Sequence, residues 1–148
     1  MNLEHIMNKN IYVANIDDSL YETAQKMKEF DIGFLPVIQK KKVVGVITDR
    51  DIVVKVLANK DSKIKDYISK DLIEVDIDES LENALKIMGE KKVKRLLVKK
   101  DNKLVGIISL SDIINYIDSN LLKTCLKNIY AINRNTDEYL TKINEFEL

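Results

Sequence analysis

The chain has 148 residues, 45% of them apolar, with 24 Lys plus Arg balanced by 24 Asp plus Glu. That length allows one compact unit or two small lobes, and the even charge argues against a dedicated nucleic-acid binder, which carries a net basic face. Cys125 is the one cysteine, which excludes an internal disulfide and any zinc or iron–sulfur site built on a cysteine cluster.

The first ten residues carry Glu4 and Lys9 and no apolar stretch, so a signal peptide is not expected. Apolar runs such as Val43 to Ile47 are too short to span a bilayer, and a cytoplasmic protein is the expectation. An extended run from Ile11 to Ile16 opens the chain. A helix over Ser19 to about Phe30 follows. Ser19 and Glu22 form a capping box, and Leu20, Thr23, Ala24, Met27 and Phe30 recur at helical spacing. Phe34 to Ile38 and Val43 to Thr48 then read as two strands of a hairpin, and a second helix starts near Asp49. A polar stretch, Asn59 to Lys70, comes next. The pattern then repeats. Leu72 to Ile77 is extended, and Leu81, Ala84, Leu85 and Met88 mark a helix without the reciprocal Glu, so its cap is weaker. Leu96 to Lys99 and Leu104 to Ser109 are strands, and a helix starts near Leu110. Nearly unbroken apolar strands of this kind are covered on both faces.

The two stretches align at an offset of 61 residues without a gap. Ile16-Asp17-Asp18-Ser19-Leu20 meets Ile77-Asp78-Glu79-Ser80-Leu81, and Lys42 to Thr48 meets Lys103 to Ser109. One β-α-β-β-α unit therefore occurs twice, each copy needing the other to bury its apolar face. The expected divisions are a first repeat over 1–59, a linker over 60–70, a second repeat over 71–117 and a helical tail over 118–148. In the tail, Leu121, Leu122, Cys125, Leu126, Ile129 and Ile132 define one amphipathic helix. Tyr139, Leu140, Ile143 and Phe146 define another, starting at Thr136.

This order of elements, with Gly33-Phe34-Leu35-Pro36-Val37 and Gly45-Val46-Ile47-Thr48-Asp49-Arg50-Asp51 in the first copy, resembles the CBS domain. The second copy, with Val93-Lys94-Arg95-Leu96-Leu97-Val98 and Gly106-Ile107-Ile108-Ser109-Leu110-Ser111-Asp112, resembles it equally, and its last run is similar to one in the γ subunit of AMP-activated protein kinase. The resemblance implies an α/β (α+β) fold, in which tandem repeats pack about a pseudo-two-fold axis into a Bateman module with two clefts between them. It implies that one cleft uses Thr48, Arg50 and Asp51 with Leu72, Ile73, Val93 and Lys94, and the other Ser109, Ser111 and Asp112 with Ile11, Tyr12, Ile32 and Gly33. Lys94 and Arg95 match positions where some members hold phosphate. The ligands it implies are AMP, ADP, ATP, S-adenosylmethionine or cyclic di-AMP, sensed without catalysis, and the assembly it implies is a homodimer meeting a regulated protein partner.

Such residues suit that chemistry. One carboxylate accepts from both hydroxyls of a ribose, Arg50 offers a fork of donors to phosphate oxygens, and Gly33 leaves backbone open to a base. Judged locally, Thr48-x-x-Asp51 and Ser109-x-x-Asp112 are also capping boxes, and one hydroxyl can serve both ends. Arg50, Lys94 and Arg95 are equally readable as solvated charges. Lys40-Lys41-Lys42 and Lys91-Lys92 read as solvation at a hairpin tip and a helix end, and His5 as an ordinary surface residue. No His/Cys/Asp constellation, metal spacing or P-loop is present. The alternative function is a ligand-free adaptor that recruits a protein through the disc face or the tail. No membrane partner is expected.

Overall fold

The computed structural model describes residues 2–131, so the amphipathic segment from Thr136 lies outside the described residues. Each repeat is built from local signals. Ser19 Oγ accepts from the Glu22 N–H at 3.1 Å while the Glu22 carboxylate accepts from the Ser19 N–H at 2.7 Å, and this box starts α1 (Leu20–Phe30). Ser80 caps α3 (Leu81–Lys91) through the Asn83 N–H. Asn83 stands where Glu22 does in the first copy, so the reciprocal arm is missing. Both helices end on a left-handed residue, Asp31 and Lys92.

In the first repeat β1 (Ala14–Asn15) runs parallel to β2 (Phe34–Gln39), and β2 pairs antiparallel with β3 (Lys42–Thr48). In the second, β4 (Glu74–Asp76) runs parallel to β5 (Arg95–Lys100), and β5 pairs antiparallel with β6 (Lys103–Ser109). The central strands bury Leu35 and Val37, and Leu96, Leu97 and Val98, as expected of strands covered on both faces. After β3 the chain turns into α2 (Asp49–Asp51), which continues as a π-helix over Ile52–Leu57. After β6 it turns into the short α4 (Leu110–Ile113). The architecture is the tandem α+β repeat expected.

Two three-stranded sheets make two cores, and the segments ahead of each repeat tie them together. Leu3 and Met7 are buried in the core of the second repeat, whereas Ile64 and Ile68, their counterparts at the same offset, are buried in the core of the first. Asn8 exchanges backbone hydrogen bonds with Ile107 of β6, and Ser69 does so with Val46 of β3. The stretch read as a polar linker thus packs on the first repeat. This crossing explains why β1 and β4 are shorter than the extended runs Ile11 to Ile16 and Leu72 to Ile77. The chain must leave one sheet before docking on the other, so only its end reaches ladder register.

Gly45 and Gly106 admit those crossings. A Cβ on Gly45 would lie 2.7 Å from the Ser69 carbonyl oxygen, and one on Gly106 would run into Met7. In the tail, Asp118 caps α5 (Ser119–Ile129). This helix packs on α3 at Gly89, where a Cβ would sit 3.4 Å from Cys125 Cα. Cys125 is buried there, and burial pushes its thiol pKa up. Among the described residues no helix is long and apolar enough to cross a membrane.

Candidate functional site

At the end of β3, Thr48 is extended while the next residues turn helical. Its hydroxyl accepts from the Asp51 N–H at 3.1 Å and donates to Asp51 Oδ2 at 3.0 Å, and its own N–H donates to the same oxygen at 3.1 Å. Lys55, one turn on, reaches Asp51 Oδ1 at 2.8 Å. Burial alone would raise the Asp51 pKa. The Lys55 ammonium and the two Thr48 hydrogen bonds outweigh it and hold the carboxyl below its ordinary value. The acid is therefore an ionised acceptor at neutral pH.

Asp51 opens onto a cavity of about 460 Å³ between the repeats. The first repeat supplies Thr48, Arg50, Asp51 and Phe34. The second supplies Ile73, Val93, Lys94 and Arg95, with Lys91 and Lys92 from the end of α3. The volume lies within the usual range for small-molecule sites, roughly 300–1,000 Å³.

The end of β6 repeats the arrangement. Asp112 Oδ2 accepts from the Ser109 N–H at 2.8 Å and from the Ser109 hydroxyl at 2.6 Å, while Ser109 Oγ accepts from the Asp112 N–H at 3.3 Å. Ser109 has given its only hydroxyl proton to Asp112, so at 2.7 Å the Ser111 hydroxyl is the donor to Ser109. The residue matching Lys55 is Tyr116, so Asp112 gains no such ion pair. Its cavity is smaller, about 230 Å³, and joins Ser109 and Asp112 to Tyr12, Ile32 and Gly33. One face of the Tyr12 ring is covered by Phe30, with centroids 3.8 Å apart and planes at 12°.

Twelve of the fifteen residues selected from the sequence line these two cavities. Leu72 instead lines a third hollow with Lys41, Lys42 and Lys99 near the hairpin tips. Ser111 faces a shallow depression with Leu110 and Ile114, and Ile11 lines neither cavity. Gly33 serves a neighbour, since a Cβ there would lie 2.5 Å from Asp49 Oδ2. Sequence reasoning missed Lys91 and Lys92, taken as solvated helix-end charges, and Asp31 and Asp71. The available signal was position, because Lys91 and Lys92 directly precede the selected Val93.

A cation and a ring divide the two cavities. Arg95 Cζ lies 5.7 Å from the Phe34 ring centroid, a cation–π distance, and both side chains line both cavities. Phe34 and Arg95 are each other's counterparts at the repeat offset, facing across the pseudo-two-fold. Lys94 lies 5.6 Å from the ring centroid of Tyr130, at the end of α5.

A sequence model of the CBS domain matches residues 3–58 and 64–119. The YlbB protein of Bacillus subtilis is 32% identical over 116 residues, covering 75% of this chain and 78% of that protein. The inosine-5′-monophosphate dehydrogenase of Methanocaldococcus jannaschii is 36% identical over 113 residues, covering 75% of this chain but only 22% of the enzyme. Among solved structures, the CBS domain pair of protein MJ0100, in complex with 5′-methylthioadenosine and S-adenosyl-L-methionine, matches with a TM-score of 0.71 and 26% identity. That match covers 78% of this chain and 94% of the other.

Proposed function

The chain belongs to the CBS domain family, and on that premise we propose that it is a regulatory, non-catalytic module that binds an adenosine-containing ligand between its repeats. Thr48 and Asp51 hold the ribose, Ile73 and Val93 flank the base, and Arg50, Lys94 and Arg95 meet phosphate. The observation that carries this reading is the larger cavity itself. It brings an ionised, hydrogen-bonded acid of one repeat together with apolar and basic side chains of the other, and that combination is what a nucleotide needs. The MJ0100 pair, whose two bound molecules both contain adenosine, supports the ligand class. Asp51 and Asp112 are engaged as acceptors in capping boxes, which suits gripping hydroxyls rather than relaying protons.

We place the module in the cytoplasm, as a homodimer whose exposed apolar residues meet a second copy, with a regulated protein partner downstream. Lys94 lines the larger cavity and touches Tyr130 of the tail, so a ligand phosphate that attracts Lys94 would alter that contact.

A thermal-shift panel of AMP, ADP, ATP, S-adenosylmethionine and cyclic di-AMP tests the reading. A ligand at a hundred times its dissociation constant adds about 2.7 kcal/mol, or roughly 5–10 °C in Tm for a chain of this size. At least one compound is expected to reach that shift and to lose it with Asp51→Asn or Asp112→Asn. A flat panel would reject adenosine sensing.

A further inference from the structure

The two cavities differ in charge as well as in size. The larger is faced by five cations, Arg50, Lys91, Lys92, Lys94 and Arg95, against two acids, Asp51 and Asp71. The smaller has one cation, Arg95, against Asp31 and Asp112. It has half the volume of the larger, about 230 Å³ against 460 Å³. Among the described residues neither Asp31 nor Asp112 has an ion-pair partner, so both charges act on whatever enters. A phosphate placed there meets two carboxylates and must recruit Arg95. In the larger cavity the same phosphate meets an excess of cations even without Arg95. Like charges brought together at close range are disfavoured, and this is a standard route to discrimination.

Resting on the adenosine-sensing reading, we propose that the two clefts sort adenosine ligands by charge. A phosphate-bearing nucleotide takes the larger cleft, and a nucleoside without phosphate, neutral or cationic, takes the smaller. Arg95 links the two because it is the one cation that lines both. When a phosphate in the larger cleft draws Arg95 toward itself, the smaller cleft is left with acids alone and its preference for an uncharged or cationic guest grows. The module then reads two different molecules at once.

Titration calorimetry with AMP as the anionic probe and adenosine as the neutral one tests this. The wild-type chain is expected to bind one AMP, with that binding lost in Asp51→Asn and kept in Asp112→Asn. Adenosine added to the AMP-saturated protein is expected to fill a second site, which Asp112→Asn removes. These Asn variants keep an oxygen that can accept from the capping N–H, and matching circular dichroism melts confirm their folds. Asp31 sits at φ 51°, a left-handed conformation that Asn adopts readily, so Asp31→Asn removes the charge without straining the helix end. That variant is expected to take a second AMP. Two equivalent AMP molecules on the wild-type chain would overturn the sorting, as would AMP binding that depends on Asp112 rather than Asp51. An Asp31→Asn chain that still takes a single AMP would also overturn it, because size rather than charge would then exclude the second. If neither probe binds the wild-type chain, the sorting is overturned, whereas the adenosine-sensing reading falls only if the five-compound thermal-shift panel is flat as well.

Discussion

Asp51 illustrates how one side chain links stability to ligand chemistry. Its side chain is only 15% exposed, and both carboxylate oxygens are in use, Oδ2 by Thr48 and Oδ1 by Lys55. Burial opposes the ionised form, while Lys55 and Thr48 favour it and prevail, so the folded pKa lies below the ordinary aspartate value of 3.8. A depressed carboxyl pKa contributes stability that is present above the unfolded value and is lost as pH falls through the folded one. Asp51→Asn removes the charge-assisted part of the cap and is expected to cost about 1 kcal/mol at neutral pH. In urea unfolding, the gap between wild type and variant should stay level from pH 7 down to about 5. It should narrow once the pH drops below 3.8. A gap that persists unchanged at pH 3 would mean that the ionised acid contributes nothing. The Thr48 and Asp51 box was readable because its parts are three residues apart, and so was its twin at Ser109 and Asp112. Lys91, Lys92 and Asp71 were not picked out, although each lies close in sequence to a selected residue, because a charge beside a site reads locally as solvated and its place in the cavity depends on how the second repeat is set against the first.

At the level of elements, the repeat carried most of the architecture. Strands and helices appear in the order that apolar periodicity and capping boxes require, and a single offset relates even the crossing contacts, with Asn8 on Ile107 and Ser69 on Val46. What periodicity could not reveal was that Ile64 and Ile68 serve the first repeat and Leu3 and Met7 the second, since an apolar residue does not state which core it enters. The hairpin turns give the sharpest contrast between sequence and conformation. Gln39 pairs with Lys42, and Lys100 with Lys103, leaving two-residue loops whose central residues are all left-handed. Asp101 and Asn102 tolerate φ 50° and 59°, but Lys40 and Lys41 are held at φ 49° and 64°. Left-handed backbone costs a residue with an ordinary Cβ roughly 1–2 kcal/mol, whereas Asn-Gly fits this turn. Lys40→Asn with Lys41→Gly should therefore stabilise the chain by about 1 kcal/mol, after allowing for the greater freedom of glycine when unfolded. Thermal denaturation should show Tm rising by roughly 3 °C. A fall in Tm would mean that the lysines make contacts there worth more than the strain.

For the whole molecule, the pseudo-two-fold also governs what is left uncovered. Val53 is 60% exposed and Ile114, its counterpart at the repeat offset, 48%. Each follows the short helix that closes its repeat. Val54 and Leu57 add to the first of these surfaces and Tyr116 to the second. Duplication has thus given both repeats an exposed apolar residue at the same repeat position, where solvation alone would favour polar ones. A surface built from equivalent positions is suited to an isologous dimer, in which each patch meets its own kind or its twin about a shared axis. If a second copy covers these residues, sedimentation velocity on wild-type protein at micromolar concentration should give a dimer. Val53→Glu combined with Ile114→Glu should return it to monomer, because four acids would then be brought to one interface. Both positions are exposed in the single chain, so the double variant should keep the wild-type circular dichroism spectrum and a cooperative melt. A wild type that sediments as monomer throughout would assign the patches to another partner, and a double variant that stays dimeric would move the interface elsewhere on the molecule.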